Sequence, residues 1–234
     1  MTEPAPVSES SALPSLTGPG SPSLMQPSAT TSTRRSWKGR LWQVAILTLM
    51  MVASFSGYLL VLKWRGPDAK IVTHIPLDEL IPFQPDWVWV YLIPYLLGPI
   101  VIGLVNRDTF HWYLKRGLVV VGLTLLIFIA CPTQTVSRSS SELGDTPTGW
   151  LYRMMVEVDD PPANAAPSLH VSLTLLLGMA LVRDSPRWWP VAATGISLVW
   201  LATLFTRQHH LIDVGTGALM AVLVVGLWPR RIGS

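Results

Sequence analysis

From Leu41 onward the chain is a series of long apolar runs separated by short polar breaks. A helix that crosses a bilayer needs ~20 consecutive apolar residues to span ~30 Å of hydrocarbon. Six runs are candidates: 42–62, 88–105, 117–132, 168–182, 188–206 and 211–228. The runs 117–132 and 168–182 are the shortest, and a short span can borrow flanking polar turns. Unpaired backbone groups are costly in hydrocarbon, so spanning segments must be helical. The pattern predicts an all-α, six-span transmembrane helical bundle over 37–234. Pro94 and Pro99 predict a kink in the second run.

The first 36 residues have no such pattern. They hold nine Ser, five Thr and six Pro. A segment this polar cannot bury enough surface to offset its ordering entropy, so 1–36 reads as a disordered Ser/Thr/Pro-rich tail. The first apolar run follows Arg34, Arg35, Lys38 and Arg40. It is too long and too late for a cleavable signal peptide and reads as a retained signal anchor.

Composition narrows the class. Hydrophobic residues make up 50% of the 234, charged residues only 13%, against about 25% in soluble domains. Mean hydropathy is +0.41. These values exclude an ordinary soluble enzyme, and one cysteine, Cys131, excludes a disulfide framework. A net charge of +3 is too small to imply nucleic-acid binding.

Tryptophans and basic residues then fix the expected limits and orientation. Trp37, Trp42, Trp64, Trp87, Trp89, Trp112, Trp188, Trp189 and Trp228 lie near span ends, as in an interfacial belt. A cytoplasmic amino terminus places eleven basic residues inside: Arg34, Arg35, Lys38, Arg40, Arg107, Lys115, Arg116, Arg183, Arg187, Arg230 and Arg231. Six fall outside: Lys63, Arg65, Lys70, Arg138, Arg153 and Arg207. The excess predicts a multi-pass cell-membrane protein with both termini cytoplasmic.

That topology gathers unusual residues on the outer face. The loop 133–167 is the longest between spans and has no evident structure of its own; such loops are often functional. It carries Arg138 and leads into Pro167-Ser168-Leu169-His170. The turn between spans five and six reads Arg207-Gln208-His209-His210-Leu211-Ile212-Asp213. His209 and Asp213 are four apart, and on a helix residues so spaced share a face. Asp213 could bind one ring nitrogen of His209 and leave the other free, as a carboxylate does for a basic or nucleophilic histidine. Ser168 reads as a helix N-cap with His170 in the first turn, where free N–H groups suit a phosphate. Arg138 and Arg207 could bind phosphate oxygens in bidentate fashion.

Blander readings exist for each residue. A lone interfacial histidine is usually a tolerated polar group, Arg207 could snorkel, and Pro-Ser could be only a helix start. Asp213 resists this, because a carboxylate inside an apolar run costs up to ~2.5–3.5 kcal/mol at mid-membrane without a partner. His74 and His111 lie in loops without a partner pattern and read as structural, and Cys131 reads as a small hydrophobe. Gly215 and Gly217 read as helix-packing positions.

Pro167-Ser168-Leu169-His170 and His209-x3-Asp213 resemble the second and third signatures of the type 2 phosphatidic acid phosphatase superfamily, whose motifs are Lys-x6-Arg-Pro, Pro-Ser-Gly-His and Ser-Arg-x5-His-x3-Asp. The stretch Asn164 to His170, with Pro76-Leu77-Asp78 and Ile81-Pro82-Phe83, is similar to the bacterial branch grouped with inositolphosphorylceramide and sphingomyelin synthases. The resemblance implies a six-span bundle with its site on the extracytoplasmic face and a membrane lipid phosphate as substrate. It implies His209 as the nucleophile forming a phosphohistidine, Asp213 as its orienting group and His170 as the acid for the leaving group. It assigns phosphate contacts to Ser168 and adjacent backbone N–H groups, and places Arg138 at the first-motif Arg. These roles imply no metal and no cofactor.

The departures are specific. Cys131 and Ser139 stand where the first motif has Lys and Pro, Leu169 replaces the second-motif Gly, and Ala202-Thr203 occupy the Ser-Arg positions. Arg207, four residues after Thr203, is the candidate substitute cation. Fewer cations mean less stabilisation of a phosphoryl transition state. Three readings follow. One is a lipid phosphatase or a headgroup phosphotransferase of inositol- or choline-phosphate type. Another is a membrane scaffold with a relic site. The third is a small transporter, which would place ionisable groups nearer the bilayer midplane. Haloperoxidase chemistry, known in soluble relatives, is disfavoured by six spans.

Overall fold

The computed structural model describes residues 37–136 and 143–227. The expectations for the tail 1–36, for Arg138 and for Arg230 and Arg231 lie outside them. The described chain is almost entirely helical. Its α-helices are α1 (Trp37–Arg65), α2 (Val88–Leu104), α3 (Arg107–Ala130), α4 (Pro147–Val158), α5 (Leu169–Asp184), α6 (Trp189–Phe205) and α7 (Leu211–Gly226).

Each of the six apolar runs contains a helix. Four stretches are long and apolar enough to cross a membrane: Trp37–Asp68, Pro85–Leu104, Arg107–Ala130 and Pro186–Phe205. Helices α5 and α7 have 16 residues each, about 24 Å at 1.5 Å per residue. Length and composition thus give four membrane-length helices rather than six. Large apolar side chains such as Leu49, Leu60, Leu96, Leu126 and Leu219 are exposed along α1, α2, α3 and α7. So much outward apolar surface fits a membrane protein. Trp37, Trp42, Trp64, Trp89, Trp188 and Trp189 are also exposed and lie toward helix ends.

Local chemistry explains where the helices differ from the hydropathy reading. The run at 117–132 is the second half of α3, whose 24 residues begin at Arg107. Asn106 caps it, its side chain accepting the Thr109 N–H at 2.8 Å. The polar first turns were invisible to an apolar count. The loop 133–167 contains α4, capped by Thr146, which accepts the Gly149 N–H at 3.0 Å, with Pro147 at the first helical position. Helix α2 runs through both Pro94 and Pro99.

Helix α5 is the centre of the bundle, packing against α2, α3, α6 and α7. Leu47, Ile102, Phe110, Val120, Leu176 and Ala221 form the main core around it. Its buried hydroxyls are satisfied internally: Ser172 donates to the Ser168 and Gly217 carbonyls, and Thr174 to that of His170. Gly217 is a packing position, since a Cβ there would lie 2.5 Å from the Ser168 carbonyl oxygen; Gly215 faces open space. That close approach seats α7 against the start of α5.

At one end of the bundle the connecting segments form a hydrogen-bonded layer. Strands β1 (Ile71–Val72) and β2 (Thr133–Gln134), which follow α1 and α3, pair in parallel. The Thr73 N–H donates to the Gln134 carbonyl at 3.1 Å and the Ala166 N–H to the Thr133 hydroxyl at 2.8 Å. The Gln84 N–H donates to the Phe205 carbonyl at 2.8 Å, and the Ser168 N–H to that of Asp213 at 3.1 Å. The segments entering α2, α5 and α7 and those leaving α1, α3 and α6 therefore share one level.

Candidate active site

His170 and His209 are held by different devices and line the same cavity. Ser168 is the N-cap of α5, its hydroxyl accepting the Val171 N–H at 3.3 Å. This puts His170 in the first turn. The ring stacks on Tyr91, centroids 4.3 Å apart and planes 4° apart. Nδ1 of His170 lies 3.1 Å from the Tyr95 hydroxyl. Nε2 is buried and has no hydrogen-bond partner among the described residues.

His209 lies before α7, not on it. His210 is the N-cap and Asp213 the third helical residue. Asp213 Oδ2 accepts the His210 backbone N–H at 2.8 Å and lies 3.5 Å from Nδ1 of His209. The four-residue spacing works through this cap rather than through a shared helical face. The Asp213 carboxylate is fully buried, and its Oδ1 has no hydrogen-bond partner among the described residues. At 3.5 Å the His209–Asp213 contact is an ion-pair distance and not a formed hydrogen bond. Catalytic hydrogen bonds are often long before substrate binds.

A second carboxylate completes the start of α7. Asp78 is buried in the 3-10 turn Pro76–Leu80. Its Oδ2 accepts the Ile75 N–H at 2.8 Å and its Oδ1 the Leu211 N–H at 2.9 Å. Two acids thus meet the positive end of α7. His210 sits beside them, with Nδ1 3.0 Å from the Thr73 hydroxyl. Its ring meets that of His74 edge-on at 5.2 Å. His74, read from sequence as structural, thus has a ring contact that no local pattern marked. Burial pushes the His210 imidazole below its ordinary 6.5, against the opposing pull of Asp213 and Asp78.

The cavity has a volume of about 560 Å³. Its walls come from α1, α2, α3, α4 and α5, and most are apolar, among them Leu47, Phe55, Leu92, Phe128, Met155 and Leu173. Polar groups enter from Asp159, Asn164, His170, Gln208 and His209. Leu169 and His170, the first two residues of α5, also line it. Among the described residues no lysine or arginine lines the cavity.

The remaining expected residues lie elsewhere. Ser168 is fully buried and lines no part of the cavity. Asp213 sits behind His209. Arg207 is exposed, with a left-handed backbone (φ 51°) and its guanidinium 5.6 Å from the Phe83 ring centroid. Arg138 is outside the described residues. No three His, Cys, Asp or Glu side chains gather as a metal-holding group among the described residues. Sequence reading missed Tyr91, Tyr95, Thr73, His74 and Gln208, and took Asp78 only as part of a motif. The tyrosines carried one usable signal: two phenols four residues apart on one helix face, in an apolar run, need polar partners.

Compared with known proteins, the chain matches no family model, no curated protein and no solved structure.

Proposed function

We propose that the protein is a membrane-embedded lipid phosphatase or phosphotransferase, acting on phosphate esters or diphosphates of lipids through a phosphohistidine. The carrying observation is that His170 and His209 line one mainly apolar cavity of about 560 Å³, with a buried Asp213 3.5 Å behind His209. The apolar walls suit a lipid chain, and the polar end suits its phosphate. The motif resemblance to the type 2 phosphatidic acid phosphatase superfamily supports the same assignment, including an extracytoplasmic site in a six-span bundle.

In this reading Nδ1–H of His209 turns toward Asp213, which leaves Nε2 as the nucleophile. Nε2 attacks phosphorus and the P–O bond to the leaving group breaks. His170 gives its Nε2 proton to the departing oxygen. Water or an alcohol then attacks the phosphohistidine, His170 takes the incoming proton, and His209 is released. Phosphate oxygens are met by first-turn N–H groups of α5 and by Arg138. Ser168 acts as the cap that sets that turn. Arg207, the other expected phosphate contact, could reach the site only by leaving Phe83.

The test is phosphate release from phosphatidate and from isoprenyl diphosphates by the detergent-purified chain. It is run with and without EDTA and an alcohol acceptor, beside His209→Ala. Activity lost in His209→Ala and retained in EDTA supports the reading. Equal activity in both proteins removes the histidine mechanism, and no turnover of any lipid favours a relic site.

A further inference from the structure

Among the described residues, another cleft lies at the other end of the bundle. Helix α5 runs from Leu169 at the histidine end to Asp184, and α3 runs from Arg107 toward that same end. The cleft is bounded by the early turns of α3, the last turns of α5 and the start of α6, with a volume of about 710 Å³. It is independent of the histidine site and of any activity there.

Its chemistry is uneven. Two arginines line it and no acid does, while the other walls are apolar or aromatic. The guanidinium carbons of Arg116 and Arg183 lie 4.6 and 5.6 Å from the centroid of one indole ring, that of Trp112. Two like charges therefore share one aromatic surface. Arg183 Nε is buried and has no hydrogen-bond partner among the described residues. On the adjoining residue, Asp184 Oδ1 accepts the Asn106 N–H at 2.7 Å. Beyond the cations, Met179 and Val182 of α5 and Ala192 and Ile196 of α6 line the cleft with apolar side chains.

We propose that this cleft binds an anionic phospholipid, with its phosphate between Arg116 and Arg183 and an acyl chain along the α5–α6 wall. Two adjacent guanidiniums match a phosphate through paired N–H donors. Basic pockets between membrane helices are a recognised geometry for such headgroups. A free phosphate would satisfy the cations but leave the apolar wall unused. The wall selects the lipid.

The full chain in detergent is titrated with short-chain phosphatidylglycerol, phosphatidylcholine or inorganic phosphate, following thermal unfolding. Phosphatidylglycerol should raise the midpoint, with phosphatidylcholine and phosphate well behind. The Arg116→Gln/Arg183→Gln variant should bind phosphatidylglycerol roughly ten-fold or more weakly, the loss of at least one charge-assisted contact. Ala193 is exposed at the cleft, so Ala193→Phe should obstruct the acyl chain while leaving both arginines in place. If the double variant does not give one gel-filtration peak, Arg183→Gln and Ala193→Phe carry the test. An equal response to phosphatidylcholine, or unchanged affinity in these variants, overturns the proposal. Phosphate protecting as well as phosphatidylglycerol overturns the lipid assignment.

Discussion

The Asp78 carboxylate accepts the Leu211 backbone N–H at 2.9 Å, joining the turn after α1 to the first residue of α7. The same carboxylate accepts the Ile75 N–H. Asp78 thus fixes where α7 begins, and through it where Asp213 stands relative to His209. Asp78→Ala leaves two part-buried donors without their acceptor, which should cost up to about 1–3 kcal/mol for each that water does not satisfy. Thermal unfolding should fall and activity with it. Asp78→Asn keeps one oxygen acceptor and should lie between. An Asp78→Ala protein with the parent's midpoint would show that the link contributes nothing.

Tyr95 offers a sharper test of His170. Its hydroxyl lies 3.1 Å from Nδ1, while Tyr91 stacks on the ring. Tyr95→Phe removes the hydroxyl and keeps the ring that packs beside His170. If the hydroxyl holds the ring so that Nε2–H of the imidazolium can work as the acid, kcat should fall about ten-fold with little change in KM. The alkaline limb of the pH–rate profile, where the acid loses its proton, should move too, which a purely structural role would not produce. A proportional loss of folded protein, with the parent's profile, would assign Tyr95 to packing alone.

What was legible in the sequence follows from the range of each interaction. The six apolar runs are local patterns, and each contains a helix. The Ser168 cap is local too, a hydroxyl three residues from the N–H it accepts. The extent of α3 was missed because its first turns are polar, although Asn106 marked the start. The pairing of His74 with His210 and of Asp78 with Leu211 spans more than a hundred residues. No periodicity encodes such contacts; they exist only once the connecting segments share one layer. Arg207 shows a different limit of local reading. Its type and place fit a phosphate contact, but its chain direction places it over Phe83.

That placement sets an order among the cations. Arg207→Ala removes a cation–π contact of about 0.5–1 kcal/mol at an exposed site and no group lining the cavity. It should lower kcat/KM by less than about ten-fold, far short of the loss in His209→Ala. A loss in Arg207→Ala equal to that of His209→Ala would mean that the guanidinium leaves Phe83 and meets substrate.

His210 makes stability depend on pH in a definite direction. Burial holds its folded-state pKa below the ordinary 6.5. Above 6.5 it is neutral in both states and adds no pH dependence. As pH falls through 6.5 the unfolded chain takes up the proton while the folded chain resists, so stability declines until the lower folded value is passed. The groups facing it are Thr73 and His74 from the first loop, and Asp78, His209 and Asp213 around the start of α7. His74 and His209 oppose its protonation and the two carboxylates favour it, so burial decides the sign. His210→Gln cannot take the proton and should flatten the fall in unfolding midpoint below 6.5. An unchanged slope in that variant would assign the acid sensitivity to another group.

Asp213→Asn separates geometry from charge at the centre of the site. An asparagine keeps a side-chain oxygen that can accept the His210 N–H, so the start of α7 should survive. What it loses is the negative charge 3.5 Å from His209 Nδ1. Without that charge, a histidine carrying phosphate or a proton is no longer stabilised, and the imidazole can present the wrong tautomer. For a carboxylate in this role the rate should fall about 10²–10⁴-fold with the unfolding midpoint nearly intact. Phosphoenzyme trapped from labelled substrate by acid or alkaline quench should fall in parallel, because the same carboxylate supports its formation. Full turnover in Asp213→Asn would make the buried acid only a helix cap and would leave His209 without an orienting partner.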